Sequence, residues 1–353
     1  MKQLVTNVIK FILFFGVGLT ILYLIYQNQN EAYHAQCALD GIPKADCSLI
    51  QKVVDDFKGL NYLWVFGIFF FYILSNIMRA LRWSMMVRSL GRSPRNVNSF
   101  LTLMLGYFAN LGLPRLGEVL RPLSMSRYEK VPIEKLLGTI VVDRAMDILS
   151  LLILISMAFF LEFDTLWGYL NENMTEGREG GLLTSPLFLG FVFLILIMVI
   201  IAWIFRKPLQ QSSLFIKIRN LLSGFWDGIL SVKYLDNPLL FIFYSIMIWV
   251  CYYLMFYSYL PAFAPTAHLG FAVALMVFVF GTFGIVIPSP GGMGSYHFLV
   301  MTALALYGIS GSDAFSFANF SFFATQFCNI FLGLVAVIFL PIINRNYQPT
   351  PIK

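Results

Sequence analysis

The sequence predicts an all-α membrane protein, a polytopic helical bundle with about 7 to 8 spans, re-entrant or broken helices and a possible internal inverted repeat. Of its 353 residues, 59% are hydrophobic and only 12% are charged, whereas soluble domains carry about 25% charged residues. Several apolar stretches exceed the roughly 18 residues that mark a membrane-spanning helix. The formal net charge of +6 lies in loops between them, which indicates topology signals and no nucleic-acid-binding face.

The first apolar segment, residues 8–27, has Lys2 before it and Lys10 near its start, and it is not followed by a small-residue cleavage site. It is therefore interpreted as a retained anchor helix. The positive-inside rule places the N-terminus in the cytoplasm and residues 28–60 in an extracytoplasmic loop of an inner (plasma) membrane protein. Cys37 and Cys47 lie in this loop, where an oxidising compartment would allow a disulfide.

Residues 61–163 are predicted to form the first of two repeat-like halves. Its first span ends in a basic patch that is interpreted as cytoplasmic. The patch consists of Arg79, Arg82, Arg88, Arg92 and Arg95. The next apolar stretch, 97–113, has basic residues on both flanks, so a re-entrant hairpin or broken helix is favoured over a single crossing. A span at 137–161 and an outer acidic loop complete this half.

The second half begins beyond a predicted span at 186–204 and a predicted cytoplasmic amphipathic linker at 208–238. It covers residues 239–342, with spans predicted at 239–262, 270–287, 295–308 and 314–342. Leu101–Gly112 aligns with Val273–Gly284, and both stretches then reach a Pro/Gly break. If 270–287 crosses completely, the C-terminus is cytoplasmic; if it is re-entrant from outside, the C-terminus is outside.

The first break carries charged residues at three-residue spacing, which share one face of a helix. Its candidate substrate-binding residues are Asn110, Arg115, Glu118 and Arg121, and its candidate gate residues are Gly112, Pro114 and Gly117. Proline ends the preceding helix, glycine permits close backbone approach, and two guanidinium groups with free helix-end N–H groups suit a phosphate. The alternative is that these arginines only mark the headgroup level.

A second charged motif lies within the apolar span that starts near Leu136. Asp143, Arg144 and Asp147 are further candidate binding residues, and each charge near the bilayer centre costs about 2.5 to 3.5 kcal/mol on insertion scales. Arg144 and Asp147 could pair along the helix, whereas the two aspartates share a face that needs an external cation. Arg115 or Arg121 is the candidate partner. The alternative is an ion cluster that only joins helices.

The second break is too rich in proline and glycine for a continuous helix. Its candidate gate residues are Pro288, Pro290, Gly291, Gly292, Gly294 and His297. The histidine could change charge near neutral pH, or it could be a hydrogen-bonded packing residue. With three histidines in the chain and no cluster at metal-ligand spacing, neither a metal site nor a cofactor is predicted.

These motifs together resemble the transmembrane flippase domain of lysylphosphatidylglycerol synthases and their stand-alone bacterial and archaeal relatives. The matching pieces are Arg79 with Arg82-Trp83, Asn110 through Pro114-Arg115-Leu116-Gly117-Glu118 with Arg121, Asp143-Arg144 with Asp147, and Pro288-Ser-Pro-Gly-Gly-Met-Gly294. The resemblance implies a helical domain that moves or holds an aminoacylated, anionic or polyprenyl-phosphate lipid. The family usually has Glu where Asp143 stands, and often has Glu where His297 stands.

The leading hypothesis is therefore a lipid flippase-like transporter whose partners are membrane lipids, recognised through their phosphate. In it, Arg115, Arg121 and Arg144 hold the phosphate, and the carboxylates balance charge or meet a cationic headgroup. One alternative is a membrane-embedded glycosyl or headgroup transferase acting on a lipid donor. Another is a non-transporting scaffold for a lipid-modifying enzyme. No nucleic-acid partner is expected, and the sequence carries no signature of an oligomeric state.

Overall fold

The computed structural model describes residues 2–43, 46–112, 116–163, 165, 235–287 and 292–349, with side chains from residue 15 onward. Regular structure in these ranges is helical throughout. The helices are α1 (Lys2–Leu39), α2 (Leu49–Lys58), α3 (Tyr62–Arg88), α4 (Asn96–Gly112), α5 (Leu116–Glu129), α6 (Ile133–Leu161), α7 (Pro238–Ala262), α8 (Phe271–Val286), α9 (Ser295–Ala305) and α10 (Gly311–Ile343).

Four of the described helices, α3, α6, α7 and α10, are long and apolar enough to cross a membrane. Together with the shorter helices between them they form a polytopic helical bundle, which confirms the predicted fold class. The predicted span at 186–204 and residues 208–234 of the predicted linker lie outside the described ranges.

The N-terminal helices differ from the expected anchor and loop. Helix α1 continues beyond residue 27 to Leu39, because residues 28–39 contain neither glycine nor proline to end it. Most of the expected loop is thus helical, with a turn that contains Gly41 at a φ of 71°. Cys37 and Cys47 form a disulfide across this turn, with their Cα atoms 6.2 Å apart.

Helix α2 lies against the start of α10. Lys52 Nζ donates to carboxylate oxygens of Asp56 and Asp313, each at 2.7 Å. Burial opposes the charge of Lys52, but the two carboxylates outweigh it and raise the pKa of the ammonium group above its usual value. The disulfide and this bridge together join α1, α2 and α10 at one end of the molecule, here named the disulfide side.

The opposite end, named the basic side, carries Arg88, Arg92 and Arg95 in the turn from α3 to α4. Helices α3 and α7 pack antiparallel: Asn61 N donates to Ala262 O at 2.9 Å, and Ser75 Oγ donates to Ile248 O at 2.9 Å. Helix α3 therefore runs from the disulfide side to the basic side, and α7 runs back.

Helices α4 and α5 form a re-entrant hairpin that leaves from the basic side and returns to it. Asn110 Oδ1 accepts the N–H of Gly117 at 2.7 Å, and a Cβ on Gly117 would lie 2.0 Å from Gly106 O. At the hairpin base, Glu129 Oε1 accepts the backbone N–H of Arg95 at 3.1 Å. The hairpin corresponds to the stretch at 97–113 that the flanking charges predict to be re-entrant.

Helices α8 and α9 form a second hairpin, which corrects the prediction of separate spans at 270–287 and 295–308. At about 1.5 Å per residue they are roughly 24 and 16 Å long, short of a hydrocarbon core of about 30 Å. Ser295 Oγ donates to Gly284 O at 2.6 Å, which brings the helix ends together. This hairpin starts and ends on the disulfide side, since Tyr307 just after α9 donates to Glu162 at the end of α6.

The two halves α3–α6 and α7–α10 thus share one order, a long helix, a hairpin of short helices and a long helix. Their first helices are antiparallel and their hairpins leave from opposite sides, as an inverted repeat requires. Contacts between halves are reciprocal: α4 packs on α10, and α8 packs on α6. Because α8 and α9 return together, α10 ends on the basic side, where Asn344 and Asn98 exchange hydrogen bonds of 2.8 and 2.9 Å.

Candidate functional site

A buried charge cluster lies where α3, α5 and α6 meet. Its members are Arg79, Arg82, Arg121, Asp143 and Asp147. Arg82 is fully buried, and its Nη2 donates to Asp143 Oδ1 at 2.6 Å and to Asp147 Oδ1 at 2.8 Å. Arg82 Nη1 also reaches Ser245 Oγ of α7 at 3.2 Å. One guanidinium group therefore joins three long helices.

The other two arginines approach the same carboxylates from either side. Arg79 Nη1 donates to Asp147 Oδ2 at 2.5 Å, and Arg121 Nη1 donates to Asp143 Oδ2 at 3.0 Å. The Arg121 guanidinium lies 3.9 Å from the ring centroid of Trp83, whose indole N–H donates to Thr139 Oγ1. The indole is thus fixed in place, and it holds Arg121 by a cation–π contact.

The cluster contains more positive than negative charge. Three guanidinium groups face two carboxylates, a net charge of +1. Within the described residues, Arg79 Nε and Arg121 Nε and Nη2 are buried without a hydrogen-bond partner. A buried donor left unpaired costs about 1 to 3 kcal/mol, and more when it is charged. The arrangement therefore suits an anion that accepts these hydrogen bonds.

Helical periodicity explains why α3 contributes two of the arginines. Polar side chains recur along one face of this otherwise apolar helix, at positions Tyr72, Ser75, Asn76, Arg79 and Arg82. Arg82 lies about 9 Å along the helix from Arg88 at its end. Asp143 and Asp147 share a face of α6, as their four-residue spacing predicts, and that face meets the arginines.

The two α3 arginines are the site residues that sequence reasoning missed, because they were interpreted as part of the cytoplasmic basic patch. Their spacing within the polar face of α3 is the signal that could have identified them. Of the two expected partners for the aspartates, Arg121 contacts Asp143 directly. Arg115 lies outside the described residues.

Glu118 and Arg144 form a separate ion pair beside the cluster, between α5 and α6. Arg144 Nη2 donates to Glu118 Oε1 at 2.9 Å, and the two side chains are 53% and 41% exposed. Arg144 therefore pairs with Glu118 and not along its own helix with Asp147. Arg144 directly follows Asp143 in α6, and Glu118 lies one helical turn before Arg121 in α5. The pair therefore adjoins the cluster on its outer side.

The hairpin glycines differ in their surroundings. Gly117 lies against the backbone of Gly106, whereas Gly112 has no neighbour within 4 Å of a Cβ added to it. The close backbone approach between α4 and α5 is therefore made by Gly117 with Gly106, and Gly112 takes no part in it. Pro114, Pro288, Pro290 and Gly291 lie outside the described residues.

In the second hairpin, Gly292 and Gly294 both have a φ of 83°. A Cβ on Gly294 would lie 2.9 Å from Gly18 O of α1, so this hairpin end is covered by the N-terminal helix. His297 is fully buried, with its ring centroid 4.8 Å from that of Phe322. Among the described residues, no three histidine, cysteine or acidic side chains come together as a metal site would require.

The second half carries a polar but uncharged counterpart of the cluster. Asp143 and Asp147 are the eleventh and fifteenth residues of α6, and Ser321 and Thr325 occupy the same positions in α10. Tyr296 donates to Ser321 at 2.8 Å, and the hydroxyl groups of Tyr259 and Thr325 are 2.9 Å apart. Within the part of the chain that the structure describes, the excess buried charge thus lies in the first half.

Comparison with known proteins agrees with this architecture. The family model described as the lysylphosphatidylglycerol synthase TM region matches residues 44–333, from the turn before α2 into α10. A UPF0104 membrane protein of Methanocaldococcus jannaschii is 29% identical over 101 residues, 28% of this chain and 30% of that protein. No solved structure matches the chain. Because the family model covers most of the sequence, the chain belongs to the lysylphosphatidylglycerol synthase TM region family.

Proposed function

We propose that the protein is a flippase-like transporter that binds the phosphate of an anionic, aminoacylated or polyprenyl-phosphate lipid at the buried charge cluster and moves it across the membrane. The observation that carries the proposal is the net charge of +1 with three buried guanidinium nitrogens lacking hydrogen-bond partners among the described residues. A phosphate oxygen accepts such donors in bidentate geometry. Net positive charge also disfavours lipids without a phosphate or other anion.

The Glu118–Arg144 pair supplies the route by which the headgroup reaches the cluster. Arg144 lies about 16 Å from the start of α6, and its pair with Glu118 is exposed there. A charge that faces hydrocarbon at this level is costly. A lipid phosphate can replace Glu118 as the partner of Arg144 and then pass to Arg121. An apolar groove of about 470 Å³ on the same helix, lined by Leu152, Met157 and Phe160 among others, accommodates a hydrocarbon chain outside the bundle.

The two re-entrant hairpins provide the moving parts of the proposed mechanism. They leave from opposite sides and belong to halves of inverted topology, an arrangement that suits alternating access. Arg121 lies on the first hairpin, so movement of that hairpin carries one phosphate ligand relative to α3 and α6. We place the protein in the inner (plasma) membrane, with the N-terminus and the basic side in the cytoplasm, by the positive-inside rule.

Leaflet exchange of fluorescent lipids in proteoliposomes tests the proposal. Dithionite, which quenches only outer-leaflet label, should remove more fluorescence from vesicles with the protein than from protein-free vesicles. Arg121→Gln should slow exchange about tenfold or more, because a hydrogen bond to a charged group contributes about 1.5 to 3 kcal/mol. Arg127→Gln alters an exposed arginine of the same helix and should leave exchange unchanged.

The outcome is decisive once each variant is shown to be monodisperse and folded. Exchange no faster than in protein-free vesicles, for all the lipid classes above, would overturn the proposal. Equal loss in the Arg121 and Arg127 variants would indicate a general surface-charge effect in place of a binding site. A labelled glycosyldiacylglycerol, which carries no phosphate, that moves as fast as a phosphate-bearing lipid would overturn the assigned role of the phosphate.

The two alternatives make different demands on the same residues. A transferase needs a free general base, whereas Asp143 and Asp147 are each held by arginines and Glu118 is paired with Arg144. Product formation from purified protein and a lipid donor would favour that alternative. For a scaffold, the cluster only joins helices, and Arg121→Gln would reduce folded yield without a separate effect on exchange.

A further inference from the structure

A polar cavity lies on the basic side, away from the buried charge cluster. It has a volume of about 670 Å³ between the turn before α4 and the chain that follows α10. Its lining residues are Ser93, Pro94, Arg95, Ile342, Ile343, Arg345, Asn346 and Tyr347. The lining thus includes two arginines and no acidic side chain.

We propose that this cavity is a binding site for a phosphate group, held between Arg95 and Arg345. Both arginines line the same cavity, one from each of its two segments, and guanidinium groups bind phosphate oxygens in bidentate geometry. Both side chains are exposed and accessible to a ligand. Basic pockets at one membrane face are typical sites for anionic lipid headgroups, and free phosphate has the same recognition chemistry.

Two contacts orient the Arg95 side chain in the cavity. Its Nη1 donates to Ile343 O at 3.2 Å, and its guanidinium carbon lies 4.7 Å from the ring centroid of Tyr347. One N–H is therefore used, and other donors of the same fork remain for a ligand. Glu129, which is fully buried, accepts hydrogen bonds from Arg95 N, Asn98 and Tyr347.

These contacts connect the cavity to the first hairpin. Glu129 ends α5, and the Tyr347 hydroxyl donates to its Oε2 at 2.9 Å. Burial and this hydrogen bond raise the pKa of Tyr347 to about 12, so the hydroxyl keeps its proton near neutral pH. A phosphate that bridges Arg95 and Arg345 would therefore also hold the base of the α4–α5 hairpin to the end of α10 and stabilise the fold.

Thermal unfolding of the full chain in neutral detergent, with inorganic phosphate or dioctanoyl phosphatidic acid added, tests this proposal. At saturation the wild-type midpoint should rise by several degrees, because a ligand of the folded state stabilises it. Because the buried charge cluster is itself proposed to bind phosphate, the decisive variants carry Arg121→Gln as a background, in which Arg345→Gln and Arg345→Glu should abolish the remaining rise. Arg92→Gln changes a neighbouring arginine that does not line the cavity and should retain it. Arg121→Gln alone should retain the part of the rise that comes from this cavity, which separates the site from the buried cluster.

A rise with inorganic phosphate supports the site and indicates a soluble ligand. A rise with the short-chain lipid alone also supports it and indicates a headgroup. No rise with either probe would overturn the proposal, and so would a rise that persists in both Arg345 variants of the Arg121→Gln background. Loss of the rise in Arg92→Gln to the same extent as in Arg345→Gln would show diffuse attraction to the basic side, and would equally overturn it.

Discussion

Arg82 is the residue on which the charge cluster depends most. It is fully buried and contacts both aspartates, whereas Arg88, two turns further along α3, is exposed. Breaking a buried ion pair by removing one partner costs about 3 to 5 kcal/mol. We therefore expect Arg82→Gln to lower the unfolding midpoint and the folded yield in detergent strongly, while Arg88→Gln changes stability by only about 0.5 kcal/mol. Equal stability of the two variants would contradict this account of the cluster.

Part of this cluster could be predicted from the sequence. Two aspartates inside an apolar run require cationic partners, and that reasoning correctly led to Arg121. The same charge logic failed at Arg79 and Arg82, because an arginine near the end of a span has two possible roles. It can mark the membrane surface or turn back into the bundle, and local sequence does not distinguish the two unless the polar face of the whole helix is considered.

At the scale of helices, the first hairpin depends on one backbone contact. A Cβ on Gly117 would lie 2.0 Å from Gly106 O and 2.8 Å from Asn110 Oδ1. We expect Gly117→Ala to destabilise the protein by about 3 kcal/mol, at the upper end of overpacking effects, because the obstructing atom is backbone. The matched control is Gly112→Ala, whose Cβ would meet nothing within 4 Å. Thermal melts that place the two variants within one degree of each other would refute the hairpin contact.

Hydropathy identified the four long helices but not the roles of α8 and α9. An apolar stretch of 16 residues resembles a short span in composition, and only its packing shows that it turns back. The Pro/Gly breaks did identify where each hairpin turns. Helix α1 could not be delimited from hydropathy, because its polar second half contains no helix-ending residue before Gly41.

At the scale of the whole molecule, the structure decides between the two placements of the C-terminus relative to the basic side. Asn346 and Ser93 both line the basic-side cavity, and Lys58 ends α2 on the disulfide side. We expect a membrane-impermeant thiol reagent to label Asn346→Cys from the same face as Ser93→Cys, and Lys58→Cys from the other face. Native thiols should contribute little background, since Cys37 and Cys47 are paired and Cys251 and Cys328 are buried.

Labelling of Asn346→Cys and Lys58→Cys from one face would show that α10 does not run between the two sides. The sequence left this placement open because α8 and α9 were counted as separate crossings. Once they form a single hairpin, the inverted repeat and the positive charge near the C-terminus agree on the same side.

If the proposed transport proceeds by alternating access, the inverted repeat relates this structure to a second conformation of the same chain. In it, α3–α6 take the arrangement of α7–α10, and α7–α10 take the arrangement of α3–α6. The two hairpins thereby exchange their arrangements. Charge does not exchange in this way, because Asp143 and Asp147 correspond to Ser321 and Thr325. Under that mechanism, the protein without lipid would therefore prefer one of the two conformations. If the net positive cluster shifts within the field, membrane voltage acts on that preference, by at most about 2.3 kcal/mol per charge moved across 100 mV.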